Sequence, residues 1–263
     1  MSNRRKFVQK AVTVVATFGL LPRFYFGDSQ STAVETRALS DQGDDLQKLN
    51  ELIKGKAPIK WIFSGDSITQ GAKHTFGSRS YPEIFAERVR WEMGRVRDIV
   101  INTAVSGNTS KDIVNDFEWR IGQFKPSIVS LMIGTNDASE KKAVTLSAFK
   151  QNNLELVNKI RGFGAIPVLQ TPNIIITEKA RERERIQDYI AVTREVAADN
   201  KVVLVDHFAF WSEKIESISK EEIYTKWLND ELHPNGIGHV QMAQLLFRKL
   251  SIFDPNSFTC RPS

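Results

Sequence analysis

The sequence predicts an α/β fold in which five parallel strands are covered by helices on both faces. Five short apolar stretches alternate with amphipathic stretches, an alternation typical of βαβ units. The chain has 263 residues and is 41% hydrophobic, which is enough for one substantial core. No repeat, linker or low-complexity tract divides it beyond the first thirty or so residues, so we expect one α/β domain.

The predicted strands are short and apolar, and each is followed by a polar or glycine-containing loop. They cover residues 59–64, 98–102, 127–133, 166–171 and 202–205. Crossovers between parallel strands are right-handed, which places helices on both faces of the sheet. The loops after the strands should then gather along one edge, where open α/β sheets bind their ligands.

Amphipathic stretches mark the helices between these strands. The predicted helices lie near residues 46–53, 80–93, 109–121, 145–161, 178–199 and 237–250. One of them opens with a capping box, Ser80-x-x-Glu83, and Thr109-x-x-Asp112 opens another. The charge run at 178–185 is interpreted as the solvated start of its helix.

The first 33 residues have the layout of a signal peptide. A basic start with the pair Arg4-Arg5 precedes an apolar run from Ala11 to Leu21. That run is shorter than the roughly 20 residues that span a bilayer, and Arg23 interrupts its extension. We therefore expect residues 1–33 to direct export and to resemble a twin-arginine signal, with a permanent anchor as the alternative.

The chain after the signal is nearly neutral. Residues 1–33 hold five basic residues and one acid, and so carry most of the formal net charge of +5. Nucleic-acid binding is therefore not indicated. Residues 34–58 are predicted to be an extension with one short helix, and residues 59–253 the domain itself. The single cysteine, Cys260, cannot form an intrachain disulfide.

A candidate nucleophile follows the first strand, which runs directly into Gly65-Asp66-Ser67. Alone, this serine could equally be a helix cap. Acyl transfer by serine also needs a base and an acid that orients the base. Near the other end of the domain, after an irregular stretch at 207–229, His233 can be the base and Asp230 its partner.

The loops after the second and third strands offer hydrogen-bond donors for an oxyanion. We expect the amides of Ser67 and Gly107 and the side-chain NH2 of Asn136 to form the oxyanion hole. Taken singly, Gly107 could serve a tight turn and Asn136 an Asx-turn. His207, next to Asp206, is an alternative base.

Together these residues resemble the SGNH (GDSL-type) hydrolase superfamily. Its four blocks occur in the family's order, as Gly65-Asp66-Ser67-Ile68-Thr69, Gly107, Gly134-Thr135-Asn136-Asp137 and Asp230-x-x-His233-Pro234. The resemblance implies a flavodoxin-like three-layer α/β/α sandwich with a five-stranded parallel sheet, and ester hydrolysis without a metal or other cofactor. It also implies the residue roles given above. No Gly-x-Ser-x-Gly surrounds Ser67, which argues against the α/β-hydrolase family proper.

An export signal joined to this layout predicts a periplasmic or extracellular esterase that removes small acyl groups, acetyl above all, from carbohydrates. Candidate substrate-binding residues are Asp66, His74, Arg79 and Trp227. The alternatives are a lysophospholipase or thioesterase, which would need a long apolar groove, and a binding module that keeps the fold without catalysis.

The expected partner is thus a small-molecule or carbohydrate ester. No nucleic acid and no stable membrane insertion after signal cleavage are expected, and the oligomeric state is left open. The histidines and acids show no metal-ligand spacing such as His-x-x-x-His, so no metal site is predicted.

Overall fold

The computed structural model describes residues 45–261, and the predicted export signal at 1–33 lies outside them. Its centre is an all-parallel five-stranded sheet in the order β2-β1-β3-β4-β5, the flavodoxin-like order. The strands are β1 (Lys60–Gly65), β2 (Ile99–Asn102), β3 (Ile128–Met132), β4 (Ile166–Gln170) and β5 (Val203–Val205). The predicted fold class and the five strands are confirmed.

Helices cover both faces of the sheet and make the three-layer sandwich. They are α1 (Asp45–Lys54), α2 (Ser67–Gln70), α3 (Tyr81–Glu87), α4 (Ser110–Asn115), α5 (Phe117–Arg120), α6 (Leu146–Gly162), α7 (Ile186–Asp199), α8 (His207–Ser217), α9 (Lys220–Trp227) and α10 (Gly236–Lys249). The predicted capping box at Ser80 is present, and Thr109 with Asp112 forms a second one. The helix that begins with α3 ends in a π-helical turn over Arg88–Glu92.

Successive side chains of each strand point to opposite faces of the sheet, so the hydrophobic core has one half on each face. In β1, Trp61 and Phe63 pack on one face of the sheet with residues of α3 and α10. Ile62 packs on the other face with residues of α4, α6 and α7. Because β1 and β3 are buried on both faces, they read as nearly continuous apolar runs in the sequence.

The predicted short helix before β1 is present as α1 and is attached firmly to the domain. Its Leu49 is fully buried in the core. Asp45 pairs with Arg161 of α6 at 2.7 Å, and Arg95 donates to the carbonyl oxygen of Ile53 at 2.8 Å. Over residues 45–261, none of the helices is both long and apolar enough to cross a membrane.

Two stretches differ from the sequence-based expectation. The region at 207–229 is regular, because Asp206 and Ser219 cap the helices α8 and α9 with their side chains. The charge run at 178–185 is not a helix start: it forms a 3₁₀ turn, and α7 begins only at Ile186. Helical periodicity was a poor guide in both places, since capping and tertiary contacts decided the boundaries.

A buried carboxylate fastens the amino end of the sheet. Asp98 is 3% exposed and accepts hydrogen bonds from the backbone N–H of Ile59 at 3.0 Å and from Trp61 Nε1 at 3.2 Å. Arg95 adds two further bonds, from Nε at 2.8 Å and from Nη2 at 3.2 Å. The charge of Asp98 is thus compensated, and the start of β1 is tied to the chain that leads into β2.

We expect Asp98→Ala to lower the free energy of unfolding by about 3 kcal/mol, because it leaves buried donors and a guanidinium without their acceptor. Urea denaturation monitored by tryptophan fluorescence measures it. Asp116→Ala is the control: that side chain is 53% exposed and pairs with Arg120, so its loss should cost below about 0.5 kcal/mol. Equal small losses in both variants would contradict the role of Asp98.

Candidate active site

The predicted nucleophile lies where β1 ends and the short helix α2 begins. Asp66 is the N-cap of α2, and its Oδ1 accepts from the backbone N–H of Ile68 at 3.0 Å. A Cβ at Gly65 would collide with the carbonyl oxygen of Met132 on β3, so only glycine allows the strands to approach this closely. Ser67 is thereby held at the carboxyl edge of the sheet with 8% of its surface exposed.

The structure brings Ser67, His233 and Asp230 into one hydrogen-bonded row. Ser67 Oγ lies 2.8 Å from His233 Nε2, and His233 Nδ1 lies 2.9 and 2.8 Å from the two carboxylate oxygens of Asp230. An ionised carboxylate only accepts, so Nδ1 carries the imidazole proton and Nε2 accepts from the serine hydroxyl. This is the arrangement that a serine nucleophile and its base require.

The carboxylate of Asp230 is held in its charged form. Partial burial works to raise its pKa, but hydrogen bonds from the backbone N–H groups of Leu232 and His233, each 2.8 Å long, and from the imidazole of His233 bring the pKa below its usual range. The side chain is 40% exposed, so water also solvates it. Asp230 can therefore orient the imidazole and stabilise an imidazolium.

The three expected oxyanion donors lie on loops that are tied to one another. The loop after β2 is bonded to the end of β1, from Val105 N to Gly65 O at 3.1 Å, and Gly107 in that loop has a φ of +82°. The side-chain NH2 of Asn136 donates to the carbonyl oxygen of Asn108 at 3.0 Å. Asn136 thus lies against the residue that follows Gly107.

A residue without a sequence signal fixes the orientation of Asn136. Arg183 donates from Nε to the carbonyl oxygen of Thr135 at 3.1 Å and from Nη2 to Asn136 Oδ1 at 3.4 Å. The amide oxygen of Asn136 therefore faces Arg183, and its NH2 faces the loop after β2. Arg183 belongs to the charge run that the sequence suggested was solvated, and its inward turn depends on tertiary contacts.

The four expected substrate-binding residues are placed very differently. Asp66 is fully buried, and Trp227 is 8% exposed with its ring 4.9 Å from that of Trp211. Asp66 is used as a helix cap and Trp227 as core. Arg79 forms an ion pair with Glu87 on the surface. His74 lies in the site, with its ring stacked on that of His233.

The alternative base His207 has no access to a substrate. It is fully buried, its Nε2 lies 2.7 Å from Gln170 Oε1, and burial lowers its pKa to about 3. His239 is likewise buried, accepts from the backbone N–H of Tyr81 at 3.2 Å, and has its pKa lowered by burial to about 3. Both imidazoles are neutral structural groups.

One group of possible metal ligands occurs within the described residues. His74, Asp230 and His233 each offer an atom within 4.8 Å of the others. The two imidazoles are stacked, and the lone pair of an imidazole lies in its ring plane, so both rings cannot aim at one ion as they stand. Asp230 is moreover engaged by His233. We assign no metal role to this group.

Two buried acids lie beneath the site. Burial raises the pKa of Asp66 to about 7, and the nearby Asp137 adds to this effect. Burial also raises the pKa of Asp137 to about 6, against the opposing bonds from Ser110 Oγ at 2.6 Å and Ser110 N at 2.9 Å. Asp137 thus joins the loop after β3 to the start of α4.

The comparisons with known proteins give the class. The model of the GDSL-like Lipase/Acylhydrolase family matches residues 63–240, and the chain belongs to this family. A curated acetylxylan esterase of Geobacillus stearothermophilus is 26% identical over 208 residues, which cover 73% of this chain and 93% of that one. Family and relative together show a carboxylic ester hydrolase.

Solved structures have the same fold. LAE5, described as an alpha/beta hydrolase enzyme from the metagenome of Lake Arreo, aligns with a TM-score of 0.64 at 22% identity, covering 74% of this chain and 96% of that one. The W215I variant of Axe2, an acetyl xylan esterase from Geobacillus stearothermophilus, aligns with a TM-score of 0.63 at 24% identity, covering 77% and 100%.

The raised pKa of Asp66 predicts a pH-dependent stability. The folded state keeps the proton of Asp66 up to about pH 7, whereas the unfolded chain releases it near 3.8. The folded state therefore binds more protons between these values, and the free energy of unfolding falls as pH rises through this range. Each unit of pKa difference corresponds to about 1.4 kcal/mol, so the decline should amount to a few kcal/mol.

Asp66→Asn keeps an acceptor for Ile68 N–H and removes the ionisation, so its free energy of unfolding should decline less over the same pH range. Urea denaturation at several pH values between 4 and 8 measures the difference. Asp116→Asn at the exposed surface should follow the wild type. If the free energy of unfolding changed with pH in the same way for wild type and Asp66→Asn, the ionisation of Asp66 would not destabilise the folded state.

Proposed function

We propose that the protein is an exported serine esterase that hydrolyses small acyl esters, acetyl above all, on carbohydrates. Ser67 is the nucleophile, His233 the base and Asp230 its orienting acid. The amides of Ser67 and Gly107 and the side-chain NH2 of Asn136 bind the oxyanion. The observation that carries the proposal is the 2.8 Å contact between Ser67 Oγ and His233 Nε2, with Asp230 bound to the other ring nitrogen.

In the acylation half of the reaction, a proton moves from Ser67 to His233 along these hydrogen bonds. Ser67 Oγ attacks the ester carbonyl carbon while its proton passes to His233 Nε2, which gives a tetrahedral oxyanion and an imidazolium. The bond to the leaving alcohol then breaks, and the imidazolium returns its proton to the alcohol oxygen. Asp230 remains ionised throughout and stabilises the imidazolium, which its lowered pKa allows.

Deacylation repeats the steps with water. His233 takes a proton from water, the hydroxide attacks the acyl carbon, and the bond to Ser67 Oγ breaks as the proton returns to that oxygen. The carboxylic acid leaves and the starting state is restored. In both halves the negative oxygen needs donors that are already in place. The contact of Asn136 with Asn108 and Arg183 supports such preorganisation.

The preference for small acyl groups rests on the site's polarity and on similarity. The Ser67 hydroxyl contacts His233, on which the ring of His74 is stacked, and a long acyl chain would need an apolar groove instead. The similarity to an acetylxylan esterase covers most of this chain and supports an acetylated carbohydrate as the substrate class.

Export rests on residues 1–33. Their basic start and short apolar run support delivery out of the cytoplasm, with the domain proper over residues 59–253 after an extension at 34–58. A protein exported folded through a twin-arginine route needs no disulfide, which agrees with a single cysteine. Sequencing the amino terminus of the secreted protein tests this part.

Ser67→Ala and His233→Ala should abolish ester hydrolysis, because each removes a partner in proton transfer. Asn136→Ala should lower kcat by about 100-fold, the usual loss for one oxyanion donor. Steady-state hydrolysis of nitrophenyl acetate measures these effects, with circular dichroism as the folding check. Ser106→Ala, an exposed serine after β2, should keep full activity. Unchanged turnover in Ser67→Ala would reject the mechanism.

The wild type should hydrolyse nitrophenyl acetate with a kcat/KM at least about 10-fold above that for a twelve-carbon ester, since the loops that carry the proposed site residues contain no continuous apolar run to bind a long chain. It should also release acetate from acetylated xylan or another acetylated polysaccharide. Ser67→Ala provides the background rate. A preference for the long-chain ester would favour a lipid substrate, and no turnover of any ester would favour a binding module.

A further inference from the structure

A second imidazole lies directly against the catalytic one. The ring centroids of His74 and His233 are 3.6 Å apart, and the ring planes differ by 14°. This separation is van der Waals contact, so the two rings are stacked face to face. One face of His233 is therefore covered by protein, and its edges are used by Ser67 and Asp230.

The backbone that carries His74 is fixed from two sides. The N–H of His74 donates to the carbonyl oxygen of Gly71 at 2.9 Å, directly after the nucleophile helix. The carbonyl oxygen of His74 accepts from Asn229 Nδ2 at 2.7 Å, directly before the loop of Asp230 and His233. The 3₁₀ turn Ala72–Thr75 thus links the two halves of the proposed triad.

The surroundings of His74 favour its neutral form. Nε2 is buried and has no hydrogen-bond partner within residues 45–261, so protonation would bury an unpaired N–H. Burial lowers the pKa of His74 below its usual value, and the nearby His233 lowers it further. Asp230 acts in the opposite direction, and Lys73 on the same turn adds to the lowering. These effects favour an uncharged imidazole at His74 near neutral pH.

We propose that His74 is a positioning residue: its neutral ring holds the imidazole of His233 in the plane that joins Ser67 to Asp230, and protonation of His74 stops turnover. The inference rests on the proposed function, because it assumes that His233 is the base. It concerns a residue outside the triad and outside the oxyanion hole.

The chemistry of the reaction explains why the charge of His74 matters. His233 becomes an imidazolium in both halves of the cycle. A neutral aromatic face can lie over a cation favourably, whereas a second imidazolium at the same distance would repel it. Protonated His74 therefore raises the barrier at the step where His233 must accept a proton.

This coupling predicts the shape of the acid limb of the pH–rate profile. A single protonation that removes the base makes kcat/KM fall tenfold per pH unit on the acid side of the profile. Protonation of His74, whose pKa lies below its usual value, adds a second dependence. The wild-type limb should therefore steepen towards a slope of two as pH falls, whereas an enzyme with an untitratable ring at position 74 should keep a slope of one.

The test compares His74→Phe and His74→Ala with the wild type in nitrophenyl acetate hydrolysis from pH 4 to 9. His74→Ala should lower kcat at pH 8 by about 10-fold with little change in KM, since a stacked ring pair contributes on that order. His74→Phe should restore most of kcat and show an acid limb of slope one. The control is Phe76→Ala, which removes an 80% exposed ring from the same loop and should keep kcat.

Three results would overturn the inference while leaving the proposed function intact. They are a His74→Ala enzyme with wild-type kcat, a variant that changes KM alone, and a His74→Phe enzyme with the wild-type acid limb. A change in KM alone would mean that His74 contacts the substrate instead. Circular dichroism and thermal melting establish that the variants are folded.

A measurement without turnover separates this inference from the proposed function. NMR of the imidazole groups in Ser67→Ala should show His74 titrating below about 6.5, the usual histidine value. It should also show the His233 signals moving when His74 becomes charged. A His74 that titrates at or above 6.5 overturns the inference. Absence of Ser67-dependent hydrolysis in the wild type instead overturns the proposed function.

Discussion

The candidate site depends on the common direction of β1, β2 and β3. Phe63 of β1 is level with Asn102 of β2, and Gly65 is level with Met132 of β3. The three strands therefore end together, and the loops that carry Ser67, Gly107 and Asn136 leave from neighbouring points of one edge. Since β1 lies between β2 and β3, its loop occupies the point where the strand order reverses, where such sheets bind ligands.

The imidazole of His233 reaches this edge from a distant part of the chain. It comes from the loop between α9 and α10, which is closed by an antiparallel bridge between Leu228 and Pro234. Asn235 then caps α10 by accepting from Gly238 N–H at 3.0 Å. These contacts hold the loop in place, and the imidazole of His233 lies 2.8 Å from the hydroxyl of Ser67, 166 residues earlier in the chain.

Two buried carboxyl groups beneath the candidate site lower the stability of the folded chain. Asp66 and Asp137 are both buried, and charging either one carries a desolvation cost. Asp66 nevertheless caps the nucleophile helix, and Asp137 ties the loop of Asn136 to α4. These two acids hold parts of the candidate site in place, and the desolvation cost of ionising them lowers the stability of the folded chain at neutral pH.

Much of this architecture was predictable because its signals are local. An apolar run that ends in glycine predicts a strand end, and Ser80 or Thr109 with an acid three residues later predicts a helix start. Contacts between distant elements leave no such signal. Such contacts decide the burial of Asp66 and Trp227 and the inward turn of Arg183. They also decide the helices at 207–227.

The amino-acid sequence by itself determined the five strands, the capping box at Ser80 and the individual family blocks, since each depends on residues within a few positions of one another. Only the tertiary structure decided that His74 stacks on His233 and that Asp66 and Trp227 are buried. The physical reason is that burial and stacking depend on which elements pack together, and that choice is made by the whole core.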